Sequence, residues 1–322
     1  VKVFFHPFLA APMAGVTDEP FRARLRRNGC RALWTEMVSA AALVRGHRAT
    51  LRMADPPDRD EGMVLQIFGA KPEELGPAAG TARRMGWRRV DFNMGCPVRK
   101  VVRSGAGSAL LGDLGLAETC VRALREETEG VLTVKLRTGA TADRPVFEEA
   151  GARLAAAGAD GLILHGRSRA QGYGGRADWS FVDRLARAVR LPVAGNGDIE
   201  SGAEAAARLA GHPVEAVMIG RAALHAPWIF RDAEAALEGR LPSPPPDAEE
   251  VAGDLARHFE DLLALKGERA AVGEMKKFVA WATKSMPGAA GLRCRAMAAR
   301  QSGDMLAVIR NFGAPGGARV AA

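Results

Sequence analysis

Cys96 stands apart from the other cysteines of this 322-residue chain, Cys30, Cys120 and Cys294. It lies between Gly95 and Pro97, just behind the apolar stretch 90–94, so its loop is constrained and its thiol can be aimed. Cys30 and Cys120 read as small buried hydrophobes, the usual fate of cysteine. Cys294, between two arginines, suggests no chemistry. There is no CxxC pair, so neither a zinc site nor a disulfide framework is expected. Other polar residues mark the ends of apolar runs in the same way. Gln66 falls within MVLQIF, Asn93 within DFNM, and Lys135 and Arg137 within VLTVKLR. Pro12-Met13-Ala14-Gly15, His165-Gly166-Arg167, Gly195-Asn196-Gly197-Asp198 and Gly220-Arg221 each close a further run.

Two kinds of ligand group suit this set. A lysine pointing into a packed interior must meet an anion or an electron-rich group, because an unpaired buried charge is costly; the plain alternative is a lysine turned outward at a strand end. An isoalloxazine ring meets the need, since reduction places negative charge near N1 and C2=O. Gln66 offers one donor and one acceptor to such a ring's amide-like edge, or is a satisfied core amide. Gly195, Gly197 and Gly220 let backbone N–H groups approach a phosphate, and Arg221 adds a fixed charge. Ordinary tight turns would explain one such end. Two on consecutive final strands favour the phosphate, which parallel barrels commonly bind there.

The elements that must position these residues follow from periodicity. Strand-length apolar segments recur at 8–12, 32–37, 63–68, 90–94, 131–136, 161–165, 192–196 and 216–220, several of them continuous, as strands buried on both faces should be. Helical patterns separate them. Asp18 is a candidate N-cap before Phe21 and Leu25, with Gly29 as the stop, and Pro72 opens a helix carrying Leu75, Ala79 and Ala82 before Gly86. Eight strand–helix units predict an α/β fold of the (β/α)8 TIM-barrel type. An open doubly wound sheet would normally use fewer strands. Four prolines within GRLPSPPPDAEE, 239–250, form a stiff linker. Val251, Leu255, Phe259 and Leu262, then Met275, Phe278, Val279 and Ala282, repeat at helical spacing, and 292–309 is helical in pattern. The expected organisation is a catalytic barrel over 1–238, the linker, and a small all-α bundle over 251–322 ending in a Gly-rich disordered tail.

Composition limits the function classes. With 48% hydrophobic and 25% charged residues, a packed soluble enzyme is the expectation. No apolar run approaches the roughly 20 residues that span a bilayer, and the opening VKVFFHPFLAAPM, interrupted by His6, reads as a first strand and not a signal peptide. Scattered cysteines suit a reducing cytoplasm. The net charge of +8 fits a polyanionic partner, although an arginine- and alanine-rich composition offers a bland explanation. Eleven basic and six acidic residues place +5 of that charge within 251–322.

These motifs, in this order, resemble the tRNA-dihydrouridine synthase family over nearly the whole chain: APMAGVTD at 11–18, TEM at 35–37, DFNMGCP at 91–97, SGAGSALL at 104–111, VKLRTG at 134–139, HGRSRAQGYGGRADW at 165–179, GNGD at 195–198 and IGR at 219–221. The resemblance implies FMN as cofactor, NADPH as electron donor and tRNA as partner, with no metal, membrane or obligate protein partner. It implies hydride transfer to C6 of a D-loop uridine and protonation of C5 by Cys96. FMN contacts would map to Pro12, Met13, Ala14, Gln66, Lys135, His165, Asn196, Gly197, Asp198, Gly220 and Arg221. Lys135, Arg137 and His165 would polarise the base, Asn93 would seat it, and Arg167 would contact substrate. Where the family often carries an Arg-Lys-His cluster on a helix, this chain has Lys276-Lys277-Phe278 and no histidine. Lys277, Trp281 and Lys284, at i, i+4 and i+7, are expected on one helical face, with the two lysines as RNA contacts and Trp281 supporting them or packing into the bundle; the plain alternative is a solvated basic face with a core tryptophan. One tension stands out. Lys135 and Arg137 would favour a thiolate at Cys96, so its loop is expected to hold it away from them until substrate binds. Two competitors remain: an FMN-dependent reductase of a free pyrimidine, which needs no basic appendage, and a non-catalytic tRNA-binding protein, which needs neither Cys96 nor Lys135.

Overall fold

The computed structural model describes residues 2–60, 62–284, 286 and 289–313. The Gly-rich tail expected to be disordered, 314–322, lies outside the described residues. All eight expected strand segments carry a strand: β1 (Phe8–Ala10), β2 (Leu33–Trp34), β4 (Met63–Phe68), β5 (Arg89–Met94), β6 (Val131–Arg137), β7 (Gly161–His165), β8 (Val193–Asn196) and β9 (Ala216–Ile219). A short additional strand, β3 (Val38–Ser39), pairs with the far end of β4, so the second barrel position is split in two. The helices are α1 (Glu19–Arg27), α2 (Ala40–Val44), α3 (Arg48–Ala54), α4 (Pro72–Arg84), α5 (Arg99–Arg103), α6 (Leu114–Glu127), α7 (Phe147–Ala156), α8 (Trp179–Ala188), α9 (Gly202–Gly211), α10 (Ile229–Leu237), α11 (Ala248–Lys266), α12 (Glu268–Ala282), α13 (Ala290–Ala298) and α14 (Ser302–Gly313). None of the described helices is long and apolar enough to cross a membrane.

Every strand pair is parallel, in the order β1-β9-β8-β7-β6-β5-β4-β2. At the seam the Ala10 N–H donates to the Ala32 carbonyl at 2.9 Å, which leaves the sheet nearly closed as a TIM barrel. Alternate residues of each strand face inward. Phe4, Leu9, Trp34, Val64, Ile163, Ala194, Ala216 and Met218 form one buried cluster. This dry plug fills the barrel and leaves the strand ends to carry chemistry.

Packing divides the chain into two compact units, 1–18 with 30–220, and 19–29 with 221 onward. Sequence order would count α1 as the first helix around the barrel, yet it packs in the second unit. There Phe21 stacks on Phe278 at 5.6 Å, and Arg24 donates to Asp254 at 2.6 Å. Asp247 and Glu250 make a capping box that starts α11 immediately after the prolines. The stretch expected to be helical over 292–309 is two helices, α13 and α14, interrupted where Ala299 turns extended (ψ 133°). The helix carrying Lys277 stops at Ala282, and the capping Thr283 places both its N–H and its hydroxyl on the Val279 carbonyl, at 3.1 and 2.7 Å. Lys284 therefore lies past the cap, off the helical face on which it was expected.

Candidate active site

The C-terminal strand ends of the barrel assemble a polar layer above the dry plug. Registry explains how. Asn93 pairs with Lys135 across β5 and β6, Arg137 with His165 across β6 and β7, and His165 with Asn196 across β7 and β8. Thr133, Lys135 and Arg137 are alternate residues of β6, so all three point inward while Leu132, Val134 and Leu136 face the helices. Gln66, Asn93, Lys135, Arg137, His165 and Asn196 are all buried.

Lys135 donates to the Asn196 side-chain oxygen at 2.9 Å, and Asn196 in turn donates to the Met218 carbonyl at 2.7 Å. Among the described residues no carboxylate comes within ion-pair distance of the Lys135 ammonium. Burial, reinforced by Arg137, pulls its pKa down to about 8. Arg137 donates to the Gly95, Ser168 and Gly172 carbonyls and lies 5.6 Å from the Tyr173 ring centre. It thus ties the Cys96 loop to the loop after β7.

Cys96 is half-buried. Its N–H donates to the Asn93 side-chain oxygen at 3.0 Å, and Ser108 holds its carbonyl through both N–H and hydroxyl. Gly107 (φ +62°) permits the close approach. A side-chain carbon there would lie 2.8 Å from the Cys96 carbonyl oxygen. Burial pushes the thiol pKa up, against smaller opposing pulls from the Val98 backbone and Arg137. The proton is thus retained through desolvation, which outweighs the nearby charge, a different cause from the separation anticipated in the sequence.

The remaining predicted residues divide between the layer and its surroundings. Pro12 and Met13 are partly buried, and Ala14 is exposed in a turn where Thr17 bonds both the N–H and the carbonyl of Met13. Gly197 adopts φ +131° and Asp198 φ +50°. A side-chain carbon on Gly197 would lie 2.5 Å from Ala177, so only glycine fits. Asp198 turns its carboxylate back to Arg167 and the Ala177 N–H, both at 2.7 Å. Arg167 is 2% exposed; its Nε donates to the Gly174 carbonyl and its Nη2 to the Gly175 carbonyl and Asp198, while its buried Nη1 has no hydrogen-bond partner among the described residues. The structure thus makes it a clamp on the 172–175 loop. Gly220 ends the first unit and Arg221, exposed, begins the second. In the second unit Lys277 sits 3.9 Å from Glu274, and Lys284 is exposed.

Asp91 and Thr133 also belong to the site, beyond the residues expected from the sequence. Asp91 accepts from Gln66 and Thr133, each at 2.7 Å. An acidic residue two positions before Asn93 in an apolar strand was the available signal, since period two puts both on the inner face.

Comparison with known proteins places the chain in a family and a fold. The model of the family described as dihydrouridine synthase matches residues 9–312. tRNA-dihydrouridine synthase B of Xanthomonas campestris is 35% identical over 94% of this chain and 92% of its own length. A probable tRNA-dihydrouridine synthase 1 of Synechocystis is 37% identical over 88% of this chain and 80% of its own. Among solved structures, a 2-naphthoyl-CoA reductase shares the fold, with TM-score 0.56 and 15% identity over 74% of this chain. This chain spans 52% of that protein.

Proposed function

Because the chain belongs to the dihydrouridine synthase family, we propose that it reduces uridine in tRNA to 5,6-dihydrouridine, with FMN as cofactor and NADPH as electron donor. The observation that carries this reading is Lys135, a buried cation that meets an amide and no carboxylate among the described residues. An electron-rich ring fits beside it. Gln66 has committed one amide hydrogen to Asp91 and one lone pair to Asn93. One donor and one acceptor remain, as a flavin's amide edge requires. His165 and Asn196 would flank the ring, with Pro12, Met13 and Ala14 lying over it. The backbones of Gly197, Asp198 and Gly220 would hold the phosphate, assisted by Arg221, the next residue in the chain.

When bound and reduced, FMN would supply a hydride. Hydride addition at C6 of a uracil places developing negative charge on its carbonyls. Arg137 and Lys135 are fixed cations in a water-poor layer, where such stabilisation is strongest. Asn93 would seat the base, and the Cys96 thiol would hold the proton destined for C5. Its raised pKa keeps that proton in place at neutral pH. The tRNA would engage the second unit through Lys277 and Lys284. A tRNA substrate places the enzyme in the cytoplasm.

The test is direct. Protein released from heat-denatured samples should yield FMN, and NADPH with unmodified tRNA should give dihydrouridine on nucleoside mass spectrometry. Reduction of free uridine in preference to tRNA would replace this reading with a free-pyrimidine reductase. Colourless protein that binds tRNA would replace it with a non-catalytic binder.

A further inference from the structure

Beneath the polar layer runs a relay of hydrogen bonds whose direction is fixed at both ends. At the lower end Asp91, 0% exposed, accepts from the Thr133 hydroxyl and from Gln66 Nε2. Gln66 Oε1 accepts from Asn93 Nδ2 at 2.8 Å. At the upper end Asn93 Oδ1 accepts from the N–H groups of Gly95 and Cys96, at 3.1 and 3.0 Å. A carboxylate can only accept and a backbone N–H can only donate. Two primary amides lie between them, and either could in isolation be turned around. Only the orientation present leaves no donor facing a donor.

We propose that Asp91 is a positioning residue: by fixing the orientation of the Gln66 and Asn93 amides it holds the Cys96 loop, and so the thiol, in place. The inference rests on the reading of Cys96 as the proton donor. Asp91 touches neither the loop nor the thiol, so it acts through Gln66 and Asn93. Burial raises the Asp91 pKa to about 6, with Gln66, Thr133 and Lys135 opposing. Ionised, the group is an acceptor only. The hydrogen bond it anchors is buried, where an unmet donor costs more than the bond itself contributes.

The test is the alkylation rate of Cys96 by iodoacetamide in the full-length protein as purified, read by peptide mass spectrometry. Exposed Cys294 in the same sample is the internal standard. Asp91→Ala removes the acceptor from Gln66, and Cys96 should react about fivefold faster, the factor one net hydrogen bond is worth, with Cys294 unchanged. Asp91→Asn keeps an oxygen for Gln66, and one of its new amide hydrogens can be met by the Thr133 hydroxyl, which turns from donor to acceptor. Its Cys96 rate should therefore match wild type. Equal rates in Asp91→Ala and wild type overturn the proposal. So does a rise in Asp91→Asn as large as in Asp91→Ala, which would assign the effect to charge. If Asp91→Ala does not fold, Gln66→Met against Asp91→Asn decides: the relay requires a faster Cys96 in the first and a native rate in the second, and any other pattern overturns it. The assay contains neither tRNA nor NADPH, so a chain that failed to reduce uridine would leave its outcome untouched.

Discussion

Lys135 in the first unit and Arg24 in the second are both buried cations, and they are accommodated in opposite ways. Arg24, 0% exposed, donates to Asp254 at 2.6 Å and to the Leu224 carbonyl, while Asn28 occupies the other oxygen of Asp254. Burial lowers the Arg24 pKa and Asp254 restores part of it. Among the described residues Lys135 has only the neutral amide of Asn196 as hydrogen-bond partner, with Asp91 a more distant counter-charge. The first arrangement is electrically complete and joins α1 to α11. The second is incomplete, and an incomplete buried charge is a place for a ligand.

The sharpest contrast should come from chemistry, which is assigned to the first unit alone. Cys96→Ala is expected to lower tRNA uridine reduction by about 10²–10⁴-fold, the usual worth of a positioned general acid. Flavin content and NADPH oxidation should stay near wild type. Cys294→Ala, in the second unit, should leave all three unchanged. Full turnover by Cys96→Ala would remove the thiol from the mechanism.

Next in size is a pair of stability changes of opposite sign. Asp254→Ala strands a buried guanidinium, and breaking such a pair typically costs about 3–5 kcal/mol. Lys135→Met replaces a poorly compensated charge by an apolar chain of similar length. Flavin-free protein should then unfold at or above the wild-type denaturant midpoint while losing affinity for FMN. A Lys135→Met variant as destabilised as Asp254→Ala would show both cations to be architectural.

The sequence made the eight strands legible because doubly buried strands are near-continuous apolar runs, and the strand ends legible because polar residues interrupt those runs. It did not show β3, whose two residues are too short for any period. Nor did it place α1 in the second unit. Phe21 and Leu25 announce an apolar face, but nothing in their spacing says whether that face meets a strand or Phe278. The family resemblance made Arg167 a substrate contact. Its burial against Asp198 depends on the left-handed turn at Gly197 and Asp198, a tertiary feature. Nor did the helical spacing of Lys277, Trp281 and Lys284 show the end of the helix at Ala282, because a period by itself marks no stop.

A smaller effect separates the two cations by pH. The folded-state pKa of Lys135, about 8, lies below the ordinary lysine value. Between about pH 8 and 10.4 the unfolded chain therefore binds more protons than the folded one, so this group makes flavin-free stability rise with pH across that window. Its attraction for an anionic ligand changes the other way, weakening as the charge is lost above about pH 8. Titrating apo-protein stability and FMN affinity over pH 7–10 should give slopes of opposite sign, and Lys135→Met should abolish both contributions. Parallel slopes would place the cation away from the flavin.

The smallest expected effect concerns the surface of the second unit, where charge meets solvent and each contact is worth little. Lys277 already lies 3.9 Å from Glu274 and 5.4 Å from the Phe278 ring centre, whereas Lys284 is exposed beyond the helix end. If both meet phosphates, Lys284→Glu should weaken tRNA binding more than Lys277→Glu, because part of the Lys277 charge is spent within the protein. The double variant should also flatten the dependence of log K on log salt by roughly 1.4–1.8, since each lost phosphate contact releases about 0.7–0.9 of a counterion fewer. NADPH-driven flavin reduction, which needs no RNA, should not change. An unaltered salt slope in the double variant would move the docking surface elsewhere. The exposed basic residues Arg99, Lys100 and Arg103, carried by α5 just after Cys96, would then be the next to reverse. Their loss should weaken tRNA binding by the same electrostatic logic, and unlike Lys284 they belong to the unit that holds the thiol.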